Sequence, residues 1–111
     1  MIRTREIINQ VRRVMQDTSP NSPRTSDEDI RAAISLALSD VRRMRPDLFY
    51  PAPDVYIDAY TAEEIPLEGF ILSPLAYITA AHAVTSMDQM AKAGLGENYM
   101  NIGKTALAAV A

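Results

Sequence analysis

Apolar positions recur at helical spacing in four stretches of the chain, and the breaks between them mark the loops. In the first, Arg3 to Gln16, Ile7, Ile8, Val11, Val14 and Met15 fall on one stripe, with Arg5, Glu6, Arg12 and Arg13 mostly off it. The segment DTSPNSPRTS at 17–26 then reads as a loop, because two prolines with serine, threonine and asparagine interrupt the pattern. Ser26 followed by Asp27, Glu28 and Asp29 is a start signal, a capping hydroxyl with carboxylates in the first turn. The second helix carries Ile30, Ala33, Ile34, Ala37, Leu38, Val41 and Met44, and Pro46 stops it. The short loop predicts that the first two helices form an antiparallel pair.

Between residues 46 and 73 the period changes. Proline and aromatic residues dominate, and Val55, Ile57 and Ala59 alternate with Tyr56, Asp58 and Tyr60, as in a short strand. Ile65-Pro66-Leu67 is the expected return strand, kept to an edge by its proline. Helical spacing resumes at Ser73-Pro74, which predicts an N-cap serine and a proline at the first helical position. This third helix is expected to run to Gly94 and to be central, since Leu75, Ile78, Ala81, His82 and Thr85 and the adjoining Tyr77, Ala80, Val84 and Met87 give it a wide apolar arc. Gly94 and Gly96 are expected to cap and break it. The last helix, Glu97 to Val110, presents Tyr99, Ile102, Ala106 and Val110, with Met100, Gly103 and Leu107 beside them. The fold expected is mainly α: one domain over residues 1–111, a four-helix bundle-like arrangement with a short β-hairpin or β-loop between helices two and three.

Composition narrows the function classes. The chain has no cysteine, so disulfides and thiolate metal sites are excluded. No apolar run is long enough to span a bilayer, and the N-terminal residues lack a signal-peptide core, so an intracellular product without a membrane partner is expected. Charge is two-ended. Residues 1–45 hold nine arginines against six acids, whereas residues 46–111 hold two lysines against eight acids. Such a subunit suits unlike partners on its two sides.

Candidate chemistry is sparse. His82, the single histidine, lies mid-helix among alanines with Asp88 as its nearest acid in sequence, and reads as a packed or interface residue. Glu63, Glu64, Glu68, Asp54 and Asp58 match no calcium-loop spacing and read as a solvated edge that discourages strand pairing. GLGEN at 94–98 follows a helix and lacks the lysine of a phosphate loop, so it reads as a helix–helix turn. Neither a catalytic residue nor a cofactor is expected. Arg42, Arg43 and Arg45 complement the dipole at the end of the second helix. An isoelectric point near 5.0 argues against sequence-specific DNA binding. Arg42, Arg43, Arg45, Asp47, Phe49, Tyr50, Tyr56 and Tyr60, at and after the Pro46 corner, are the candidate interface.

The order of these features resembles the head–tail connector proteins of tailed bacteriophages, also called adaptor or head-completion proteins. The matching residues are Ser26–Val41, Arg45-Pro46-Asp47, Val55–Ala59, Ile65-Pro66-Leu67 and Leu75–Met90. The motifs are short; their order over nearly the whole chain makes the likeness. The resemblance implies a non-enzymatic subunit of a homo-oligomeric ring, usually a dodecamer, in the virion neck and assembled in the bacterial host cytoplasm. Its implied partners are other copies of itself, the phage portal protein and tail or nozzle proteins, with DNA passing close by in the channel. Many relatives have a longer C-terminal segment that reaches into the portal. Here the sequence runs to Ala111, so docking is expected from the short apolar tail or the loops. The alternative is a small intracellular helical protein–protein interaction module or regulator.

Overall fold

A computed structural model of the chain describes residues 2–15, 26–49, 63–65, 67–85 and 95–110. Four α-helices dominate these residues: α1 (Thr4–Val14), α2 (Asp27–Met44), α3 (Leu72–Thr85) and α4 (Leu95–Ala108). Two short strands, β1 (Ile2–Arg3) and β2 (Glu64–Ile65), and two 3-10 turns (Pro46–Phe49 and Gly69–Ile71) complete the fold. It is the helical domain with a small β element that the hydrophobic pattern predicts.

The start of α2 follows its sequence signal. The Ser26 side-chain oxygen accepts from the Asp29 N–H at 3.1 Å, and the Ser26 carbonyl accepts from the Ile30 N–H at 3.1 Å. A cap of this kind contributes about 1 kcal/mol. Ile30, Ala33, Ile34, Ala37, Leu38 and Val41 are all buried. The stripe stops there, because Met44 is 37% exposed. Arg45 leaves the helical region at φ −138° and ψ 69°, as a residue before proline must, and Leu48 N–H closes the following turn on the Arg45 carbonyl at 3.1 Å.

The third helix is the hub. Leu75, Ala76, Ile78, Thr79, Ala80, Ala81, Ala83 and Val84 are all buried, so the helix has no continuous solvent face. It packs against α1, α2 and α4. The first two helices lean on α3 more than on each other, so the pair expected of them is bridged through a third element. On α1, Ile7, Ile8, Val11 and the following Met15 are buried, with Val14 packed at the margin.

Three boundaries differ from the expected ones. The third helix begins at Leu72, continuing the Gly69–Ile71 turn, so Ser73 is not its N-cap. Pro74 is the third α-helical residue, an early position at which proline is tolerated. Likewise α4 begins at Leu95, which puts Gly96 inside its first turn instead of in a turn before it. Finally, β2 lies between helices two and three as expected, and its partner is β1, antiparallel, with Ile2 opposite Ile65 and Arg3 opposite Glu64. The two isoleucines point into the core, at 1% and 0% exposure, and Arg3 and Glu64 occupy opposite positions of the ladder. Thr4 N–H extends the ladder to the Glu63 carbonyl at 2.8 Å. The expected strand at 55–59 and the far end of the third helix lie outside the described residues.

Candidate interaction surface

The corner after α2 brings together part of the expected interface. Arg45 grips the Asp47 carboxylate with two parallel bonds, Nε to Oδ1 at 3.0 Å and Nη2 to Oδ2 at 2.9 Å. Its remaining Nη1 donates to the carbonyls of Leu107, at 3.0 Å, and Val110, at 2.7 Å. These carbonyls lie at and just beyond the C-terminal end of α4, where few local donors remain; the Leu107 carbonyl also accepts from the Val110 N–H at 3.2 Å. Arg45 is thus a cap delivered from another helix, and its positive charge complements the α4 dipole. The guanidinium also holds the Asp47 carboxyl below the usual carboxylate range, through the hydrogen bonds first.

The other candidates divide. Arg43 is turned outward, its side chain 77% exposed, with one bond to Asp40 at 3.3 Å. Asp47 is also mostly exposed, and Arg42 is half-buried. The Phe49 backbone closes the 3-10 turn. Tyr50, Tyr56 and Tyr60 lie outside the described residues.

Two polar links escape sequence reasoning. Asp40 also meets His82, with Oδ2 2.5 Å from Nε2, and this half-buried pair ties α2 to α3 across 42 positions of sequence. Asp27 likewise joins α1 to α2, taking Arg12 Nη2 at 2.6 Å and Arg5 Nη1 at 3.0 Å. Hydrogen bonds from Arg12 and then Arg5 hold its carboxyl below the ordinary range.

Two surface features remain. A groove lined by Arg3, Thr4, Arg5, Arg31, Glu63 and Glu64 mixes both signs of charge and so selects neither anion nor cation. Large apolar side chains stand exposed on separate elements: Leu36 on α2 at 56%, Phe70 before α3 at 61% and Ile102 on α4 at 47%. Around Ile102, Asn101, Thr105, Ala106 and Ala109 make a small-residue strip. Leu36 lies off the inward stripe of α2, and that misfit is the sequence signal that marks it. Among the described residues there is no cluster of metal-ligating side chains, and no helix is long and apolar enough to cross a membrane. What the described surface offers chemically is contact area with a charged corner. The chain matches no protein-family model, no curated protein and no solved structure.

Proposed function

We propose that the chain is a structural subunit of a phage head–tail connector ring, joining the portal to the tail and extending the DNA channel. The observation that carries this reading is the order of elements: a capped α2, an Arg45-Pro46-Asp47 corner built as a helix stop and 3-10 turn, a short β step, then α3 and α4. Exposed apolar side chains on three elements support it, because a ring needs two unlike faces on each subunit, whereas a two-fold dimer needs one self-complementary patch. In this reading Arg43 and Asp47 meet a neighbouring subunit, and Arg45 shapes the corner that presents them. The net charge of −3 disfavours tight binding to the phosphate backbone, which suits a passage through which DNA must move.

The proposed place is the virion neck, after assembly in the host cytoplasm, and the proposed number of copies is twelve. Phage particles purified from infected cells test the assignment by quantitative mass spectrometry. The chain is expected in a fixed ratio to the portal protein, near one to one. Its absence from particles, with the protein confined to the cell extract, favours the small interaction module instead.

A further inference from the structure

Two of the exposed apolar side chains stand beside charges of opposite sign. On α2, Leu36, Ser39 and Arg43 are spaced by three and then four residues, so they share one outward face, and all three are exposed. The carboxylate of that region, Asp40, is turned to His82 and is mostly shielded. The face therefore presents an apolar side chain beside a guanidinium. The opposite combination lies before α3. Phe70 is the most exposed large apolar side chain among the described residues, and Glu68, two positions earlier, is also exposed. The turn that carries them stands clear of the body: a β-carbon built on Gly69 meets no atom within 4 Å beyond its chain neighbours.

An aromatic ring on a projecting turn suits an interface anchor, because it buries a large area at little entropic cost. The two patches also complement each other, apolar against apolar and guanidinium against carboxylate. We propose that the Leu36–Arg43 face of one copy receives the Phe70 turn of the next copy, with Arg43 opposite Glu68. A two-fold pairing of either patch with itself would gather like charges in one small contact, whereas each copy here gives one patch and takes the other. That head-to-tail arrangement is the kind that generates rings. The proposal rests on the connector reading, for which it names the contact between subunits. A patch built around one large apolar side chain falls short of the roughly 800 Å² per partner of a stable pair. The single contact is therefore weak, and repetition around a closed ring holds it.

The chain has no cysteine, so thiols can be placed singly. Ser39→Cys puts one beside Leu36, and Gly69→Cys puts one beside Phe70, with all four contact residues kept. Equal mixtures of the two variants are treated with a short bismaleimide, alone at high concentration and on portal protein, while sedimentation reports assembly. A mixed cross-linked pair is expected, and neither variant alone is expected to join to itself. Arg43→Glu in the Ser39→Cys chain is expected to cut the mixed pair by about tenfold. Glu68→Arg in the Gly69→Cys chain is expected to restore it, which a merely local disturbance of α2 does not allow. Assembly without the mixed pair overturns this contact and leaves the connector reading standing. So does a Ser39→Cys chain joined mainly to itself, or a mixed pair whose yield ignores Arg43→Glu. A chain that neither assembles nor cross-links, with or without portal protein, overturns both.

Discussion

Asp27 occupies the first turn of α2 and receives guanidinium groups from two positions of α1, so a single carboxylate sets how the two helices meet. Its folded-state acidity is strengthened by those bonds. The unfolded chain therefore binds the proton more readily, and the stabilisation is present above the ordinary aspartate value of about 3.9 and fades as pH falls through the lower, folded value. Because the side chain is 44% exposed, solvent screens the pair and the effect is held to about 1 kcal/mol or less. Urea denaturation of wild type and Asp27→Asn at neutral pH is expected to favour the wild type by that amount, with the gap closing as the pH is lowered below about 4. A gap that does not change with pH contradicts the assignment. At this scale local relations were legible and distant ones were not. Ser26 and Asp29 are three residues apart, so the cap could be read directly. Asp40 and His82 are 42 apart, and Arg45 reaches carbonyls 62 and 65 positions away, where no spacing rule applies.

Among the elements, the inward faces of α1 and α2 were legible because their apolar residues repeat without ambiguity. On the last helix two adjoining lines were legible, but not which of them faces inward. Tyr99, Ile102, Ala106 and Val110 form one apolar stripe, but the line that reaches the core runs through Tyr99, Met100, Gly103, Leu107 and Val110. The two differ by a small rotation, and a hydrophobicity count ranks Ile102 above Gly103. The structure reverses them, because at Gly103 the backbone of α4 approaches α3 closely. A β-carbon there stands 2.6 Å from Ile78 Cγ1 and 3.1 Å from the Pro74 carbonyl oxygen. Gly103→Ala gains about 1 kcal/mol of helix propensity. The overlap with a buried branched side chain costs more, about 1–3 kcal/mol. A net loss of up to about 2 kcal/mol is expected in urea denaturation; a variant more stable than wild type means that α4 does not sit this close. The β1–β2 pairing was hidden for a different reason. A two-residue strand is too short to carry a period, and its partner is at the other side of two helices in sequence.

For the whole molecule, α3 as a buried hub explains how a chain without tryptophan makes one core: small residues let three helices approach the same central rod. The fold class was therefore readable, because it rests on period and breaks. The candidate interface was readable only as a location. Of its arginines, Arg45 is occupied in capping α4, while Arg43 stays mostly exposed. The charge imbalance between the two parts of the sequence and the apolar side chains on separate elements are what support the proposal of partners on unlike faces. We propose that copies of this chain close into a ring. Sedimentation velocity of the purified protein over a range of concentrations, with and without portal protein, tests it most directly. A closed species of defined mass, near twelve subunits, is expected at high concentration or on the portal, weakened by Arg43→Ala without loss of monomer helicity. A strict monomer at every concentration that leaves the portal's sedimentation unchanged contradicts it.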